Sequence, residues 1–184
     1  MNVLDFVLKI DNVLPDDICD ELIKLFDESE HKERLEKNGY PNWTNLFICS
    51  YPEYRKVEKK LENVYLAVAR KYQDWSGEYG RHFNTRHFNF EGSNIKKYVG
   101  GSDDVYKRHA DVASLDTSRR FLAMLFYLND DFEGGETIFY PEMSIRPKKG
   151  SVIVFPPFWL FPHEGTPVIT GEKYIMSTYC LWSR

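Results

Sequence analysis

Residues 120–141, RFLAMLFYLNDDFEGGETIFYP, decide the fold class of this chain. An apolar run over 120–128 ends in an Asn-Asp-Asp cluster, the Gly134-Gly135 pair marks a turn, and a second short run follows over 136–140. Outward from this stretch the rhythm repeats. Apolar and β-branched runs fall near 85–90, 94–99, 104–111, 151–155 and 163–182, separated by Gly, Pro, Asn and Asp. Short strands at that spacing point to a β-sandwich or barrel, not to alternating βαβ units.

Helical spacing occurs only earlier in the chain. Pro15, Asp16 and Asp17 open a stretch in which Ile18, Leu22, Leu25 and Phe26 recur on one face. From Pro52 to about Trp75, Val57, Leu61, Val64, Val68 and Tyr72 line a second stripe, with Arg55, Lys59, Glu62 and Lys71 elsewhere on the surface. The expected fold is therefore mainly β, an antiparallel double sheet with the two N-terminal helices packed on one outer face. One domain is expected over 1–184, with supporting helices and strands in 1–80 and the β-core from about 81 to 184.

Composition sets the outer limits. The chain has 184 residues, 42% hydrophobic and 16% aromatic, which fits one domain with a sizeable core and excludes a disordered chain. Its 24 Lys+Arg against 28 Asp+Glu give a formal charge of -4, which argues against a general nucleic-acid binder. Cys19, Cys49 and Cys180 form no C-x-x-C pair, so neither a disulfide framework nor a zinc-thiolate site is indicated. The opening MNVLDFVLKIDNVLP interleaves acidic and apolar residues and does not read as a signal peptide. No run approaches the ~20 apolar residues of a membrane span, and a cytoplasmic location is expected.

In KRHAD, His109 and Asp111 stand two apart in a segment that reads as a strand. On a strand, residues i and i+2 share a face, so an imidazole and a carboxylate there could converge on one ion. Chance supplies such a triplet often enough that, taken alone, a polar pair on a surface strand is the better reading of it. His163, after the Pro-rich turn of FPPFWLFPHEG, is the candidate third ligand. Two His and one carboxylate on one side of an ion leave the other side open, the arrangement of non-haem Fe(II) oxygenases. His31, His82 and His87 lie in polar contexts and read as surface or substrate-side residues. The aromatic run FPPFWLFP reads as core and turn.

Four ordered motifs then carry a resemblance: YKRHAD, RFLAMLFYLNDDFEGGETIFYP, PKKGSVIVFP and HEGTPVITGEKY. Over roughly 95–182 the chain resembles the prolyl 4-hydroxylase type of 2-oxoglutarate- and Fe(II)-dependent oxygenase, and NVLPDDICDELIKLF resembles the opening of that family's domain. The resemblance implies a double-stranded β-helix, or jelly-roll, core. It makes His109, Asp111 and His163 the iron ligands and Lys173 the partner of the distal carboxylate of 2-oxoglutarate. Thr137, Tyr98 and Tyr127 match positions that contact the co-substrate, and Arg120 matches a position associated with substrate. The stretch between Tyr98 and Tyr106 is two residues longer than the family's usual spacing, an extension that falls in a turn. Spacing alone leaves Lys173 either ~5 Å from His163 across a hairpin or ~33 Å away along one strand.

The implied reaction consumes O2 and converts 2-oxoglutarate to succinate and CO2 while a C–H bond of the prime substrate is hydroxylated; ascorbate is a further cofactor the resemblance admits. The expected partner is a proline-containing peptide or protein, with no nucleic acid and no membrane. The same chemistry on a free amino acid or another side chain, or a non-catalytic metal-binding interaction domain, are the alternatives. Residues 74–97, rich in aromatic, Gly and basic residues, read either as a lid over the substrate or as a surface meander.

Overall fold

The computed structural model describes residues 2–36, 42–82, 88–140 and 142–183. In chain order the elements begin with β1 (Leu8–Ile10), α1 (Asp16–Glu28), β2 (Glu33–Glu36), β3 (Asn42–Phe47), α2 (Arg55–Trp75), β4 (Phe88–Phe90), β5 (Asn94–Val99) and β6 (Tyr106–His109). They continue with β7 (Arg120–Tyr127), β8 (Glu133–Gly134), β9 (Thr137–Phe139), β10 (Met143–Ile145), β11 (Val152–Phe155), β12 (His163–Gly165), β13 (Val168–Thr170) and β14 (Glu172–Trp182).

The helices start where the sequence places them. Pro15 occupies the cap position of α1, and Asp16 and Asp17 in the first turn complement the positive end of the helix dipole. A single 3-10 turn over Pro52–Tyr54 leads into α2. Cys19, Leu22 and Phe26 of α1 and Leu61, Tyr65, Val68, Ala69 and Tyr72 of α2 are the buried stripes, three to four residues apart as one helix face requires.

Those stripes cover one face of a large antiparallel sheet with strand order β1-β11-β7-β14-β5-β3-β2, with β4 pairing the far end of β14. Alternation along each strand sorts the two faces. Met124 and Phe126 of β7, Val152 and Val154 of β11 and Met176 of β14 pack under the helices. Ala123, Tyr127, Ile153, Phe155 and Ile175 point the other way and meet Phe139 and Ile145 of a smaller sheet, ordered β10-β9-β12-β6. A third pairing, β13 with β8, closes one end. Strands β7 and β11 are therefore covered on both sides, which is why they read as nearly continuous apolar runs rather than alternating ones. Each fully buried large side chain, such as Phe126 or Phe139, contributes about 1.5–3 kcal/mol of transfer free energy.

The double sheet with helices on one outer face is the architecture expected, and three details differ. Strands β1, β2 and β3 belong to the large sheet, so its extent passes well beyond 95–182. The run 163–182 divides into three strands at Thr166-Pro167 and Gly171, and the run 104–111 is a strand only over Tyr106–His109. The aromatic run 155–162 is core and turn, as expected: Phe155, Pro157 and Phe161 are buried. Phe158, Trp159 and Leu160 form an exposed turn closed by Phe161 N–H donating to Phe158 O, Trp159 being 76% exposed, because this turn joins the two sheets beyond their apolar interior. Within 74–97, Phe88–Phe90 and Asn94–Lys97 are ladder-bonded to β14, which rules them out as a lid; Phe83–His87, including Thr85 and His87, lie outside the described residues.

Candidate metal centre

His109 ends β6 and His163 begins β12, and the two are directly paired across the small sheet. Residues opposite one another on neighbouring strands project from the same face, so the two imidazoles meet, their ring centroids 4.4 Å apart. Asp111 lies just past the end of β6 and turns its carboxylate back between them. Its Oδ1 is 3.5 Å from His109 Nε2 and its Oδ2 3.8 Å from His163 Nε2. Potential ligand atoms of the three residues all lie within 4.8 Å of one another.

Protonation is set by the backbone. His109 Nδ1 lies 2.7 Å from Lys107 O, and His163 Nδ1 lies 3.1 Å from Phe161 O. A carbonyl oxygen only accepts, so each Nδ1 donates, which leaves each neutral ring with an Nε2 lone pair. His109 Nε2 is buried with no hydrogen-bond partner. Burial pushes the His163 pKa down, against the attraction of Asp111, and favours the neutral ring. For Asp111 burial opposes ionisation, but His163, His109 and the ammonium of Lys96 outweigh it and hold the carboxyl well below the usual carboxylate range. Two imidazoles that each present Nε2 and one carboxylate, with ligand atoms within 4.8 Å of one another, are a donor set that fits Fe(II).

Further groups fix this triad. Tyr179 donates its hydroxyl to Asp111 Oδ1 at 2.9 Å. Arg120 donates from Nη1 to Asp111 O at 3.1 Å, from Nε to Glu91 Oε2 at 2.7 Å and from Nη2 to Glu91 Oε1 at 2.5 Å, with its guanidinium 4.0 Å from the Tyr179 ring centroid. Tyr106 stacks on His109 with centroids 3.5 Å apart.

A pocket opens beside the triad and includes Tyr98, Thr137, Gly165, Thr166 and Lys173 in its lining. Lys173 is 3% exposed and donates from Nζ to Gly135 O at 2.6 Å. Gly165, two residues after His163, lies so close that a Cβ on it would stand 4.0 Å from Lys173 Nζ, which answers the question the spacing left open: Lys173 reaches the site across the interior of the double sheet. Tyr98 is its register partner on β5, and Lys173 Nζ is 5.7 Å from both the Tyr98 and the Tyr127 ring centroids. Tyr127 OH and Thr137 Oγ1 are 2.6 Å apart. Burial lowers the Lys173 pKa to about 7.

All eight residues singled out from the sequence thus gather around one interior. Sequence reasoning missed Lys96, Tyr106, Glu91 and Tyr179. Lys96 carried a usable signal: it stands two before Tyr98 on one strand, so it faces wherever Tyr98 faces. His31 is a surface residue, stacked on Tyr51 and bonded to Glu53. His82 lines a separate apolar groove with Tyr79 and Trp182.

The family comparison locates the same region. The sequence model of the 2OG-Fe(II) oxygenase superfamily matches residues 93–181. A putative prolyl 4-hydroxylase of Acanthamoeba polyphaga mimivirus is 31% identical over 125 residues, 56% of this chain and 49% of that protein. Prolyl 4-hydroxylase subunit alpha-1 of Gallus gallus is 33% identical over 103 residues, 44% of this chain and 18% of that subunit. The chain thus spans about half the length of the viral relative and a smaller part of the animal one. Among solved structures, the viral collagen prolyl hydroxylase of Paramecium Bursaria Chlorella virus-1, in complex with 2OG, is 25% identical with a TM-score of 0.70, covering 97% of both chains. A prolyl hydroxylase of Trichoplax adhaerens, in complex with a hypoxia inducible factor peptide fragment, shares the fold at 17% identity, with a TM-score of 0.76 over 97% of this chain and 85% of that one.

Proposed function

We propose that this chain, which belongs to the 2OG-Fe(II) oxygenase superfamily, is a 2-oxoglutarate- and Fe(II)-dependent dioxygenase that hydroxylates prolyl residues of a peptide or protein. The observation that carries the proposal is the joint placement of the His109-Asp111-His163 triad and the buried Lys173 ammonium in one pocket. An open-sided metal triad by itself fits many reactions. A fixed cation buried beside it selects a ligand with a carboxylate remote from its metal-binding end, which describes 2-oxoglutarate.

His109, Asp111 and His163 would hold the iron. Iron with 2-oxoglutarate and O2 supplies the oxidising power for inserting one oxygen atom into an unactivated C–H bond, with succinate and CO2 as co-products. The chain's own residues bind, orient and exclude water. Lys173 pairs with the distal carboxylate, and the Tyr127 and Thr137 hydroxyls, already bonded to each other, add directional hydrogen bonds to it. Tyr98 walls the same end. Tyr179 and Arg120 hold the Asp111 side chain and backbone in register. Apolar neighbours such as Ala123, Phe155 and Ile175 keep the reacting region dry, which strengthens every charge interaction inside it.

Arg120 has five N–H groups, of which three are engaged by Glu91 and Asp111. The remaining two can hold a carbonyl oxygen of the peptide. The relatives named prolyl hydroxylases support proline as the target. A cytoplasmic location belongs to the same reading and is supported by three cysteines that stay unpaired; among the described residues no helix is long and apolar enough to cross a membrane.

The test is a turnover panel: succinate release with proline-containing peptides, free amino acids and nucleic acids, for wild type and Asp111→Ala. Coupled succinate formation on a proline peptide, lost in Asp111→Ala, is expected. Equal turnover in the variant would overturn the assignment of the metal site.

A further inference from the structure

Two buried ammonium groups line the pocket at the triad: Lys173, 3% exposed, and Lys96, 7% exposed. Lys173 has Gly135 O and, under the proposed function, the co-substrate. Lys96 has no hydrogen-bond acceptor and no ion-pair partner among the described residues. Its Nζ stands over two aromatic faces instead, 5.4 Å from the Trp43 centroid and 5.6 Å from that of Tyr106, and Tyr106 in turn stacks on His109. A second donor is left over on the neighbouring strand. Asn45, the register partner of Lys96, keeps a buried Nδ2 without an acceptor, while its Oδ1 takes Trp43 Nε1–H at 3.4 Å.

Charge balance says what this cation is for. A buried charge is retained where something neutralises it, and aromatic faces return only part of what water gave. Arg120 is neutralised by its two hydrogen bonds to Glu91. A divalent iron, a dianionic 2-oxoglutarate, Asp111 and Lys173 balance to zero. Lys96 remains as one surplus positive charge in the loaded pocket. Burial lowers its pKa to about 8, so at neutral pH the ammonium is still the main form.

We propose that Lys96 receives a carboxylate of the prime substrate, carried close to the carbon that is hydroxylated. This rests on the dioxygenase reading above and narrows its substrate class to acidic ones. The carboxylate can come from an acidic side chain next to the target proline, from a C-terminal proline, or from a free amino acid. In each case the ion pair forms against the Trp43 and Tyr106 rings, where little water competes.

The experiment measures binding without turnover, on enzyme loaded with Mn(II) and 2-oxoglutarate, for three matched pairs. They are Ac-Glu-Pro-Gly-NH2 against Ac-Gln-Pro-Gly-NH2, Ac-Gly-Pro-OH against Ac-Gly-Pro-NH2, and L-proline against L-prolinamide. The expected result is that the acid of at least one pair binds tenfold or more tightly in wild type, and that this preference falls below twofold in Lys96→Met, or in Lys96→Gln if the first does not fold. Affinity for 2-oxoglutarate should stay within threefold of wild type. The pair that shows the preference identifies the source of the carboxylate. Absence of any preference in wild type, including absence of measurable binding, would overturn the proposal. So would a preference that survives the variant, or a tenfold loss of 2-oxoglutarate affinity, which would make Lys96 a co-substrate residue. Acid-dependent binding through Lys96 with no oxygen inserted into proline would leave this assignment standing and sink the prolyl one. Hydroxylation of acidic and neutral peptides alike would do the reverse.

Discussion

Tyr179 donates its hydroxyl to the Oδ1 of Asp111 at 2.9 Å, from the large sheet to a ligand held at the end of the small one. That bond spans the two layers and holds the carboxylate with Oδ1 toward His109 and Oδ2 toward His163. Burial and the adjacent Asp111 charge keep the phenol protonated, its pKa raised well above the usual tyrosine value, so it acts as a donor throughout the working pH range. Removing it in Tyr179→Phe should weaken metal affinity by roughly 10- to 100-fold, the usual effect of losing an outer-shell partner, with little change in melting temperature. Titration with Co(II) or Mn(II) measures this. Unchanged affinity would mean that the Arg120 contact to the Asp111 backbone suffices.

The buried Lys173 makes co-substrate affinity depend on pH. Its pKa without ligand is lowered by burial to about 7, whereas the distal carboxylate of 2-oxoglutarate requires the charged form. Below pH 7 the ammonium is already present and affinity should be flat. Above it, each binding event must take up a proton, and affinity should fall by up to about tenfold per pH unit. Lys173→Met should remove this dependence and cost about 1.5–3 kcal/mol of binding, roughly 10- to 150-fold. A wild-type affinity that is level from pH 6 to 9 would contradict the assignment.

Gly135 has φ +68, and a Cβ there would meet Lys173 Cδ at 3.0 Å and Phe132 Cε2 at 2.9 Å. Gly135→Ala should therefore cost about 1–2 kcal/mol from the left-handed backbone alone. It should also displace Lys173 and weaken 2-oxoglutarate binding more than metal binding. Thermal melts and separate titrations of the two ligands distinguish these effects.

How much of this was legible in the sequence follows from which signals are local. Cap and stripe residues such as Asp16, Leu22 and Leu61 report on their own helix, and the apolar runs of β7 and β11 report on burial from both sides. The strands β1 to β3 were not legible. Leu8–Ile10 and Glu33–Glu36 are three and four residues long, and their pairing with β11 and β3 is set by tertiary contact, not by a pattern of their own. At the site, His109, Asp111, His163 and Lys173 were visible because motifs bind them to fixed positions. Tyr179 sits near the end of β14, 68 residues from its partner Asp111, and no spacing rule connects them. The run FPPFWLFP was legible as core and turn, and it is both: Phe155 and Phe161 are buried, and Trp159 lies in the exposed turn between them.

Arg120 offers a separation between positioning and substrate binding. Its contacts to Glu91 and Asp111 leave two N–H groups over. Arg120→Lys removes the planar fork while keeping the charge. Peptide KM should rise several-fold while the KM for 2-oxoglutarate stays near wild type. Equal changes in both would assign Arg120 to the support of Asp111 alone.

The reading as a whole depends on one atom. Wild-type enzyme with Fe(II), 2-oxoglutarate and a proline peptide under 18O2 should yield peptide heavier by one 18O, located on the prolyl residue by fragmentation, with one succinate formed per oxygen inserted; Asp111→Ala should yield neither. Succinate without labelled proline, or labelled product from the Asp111→Ala enzyme, would refute it.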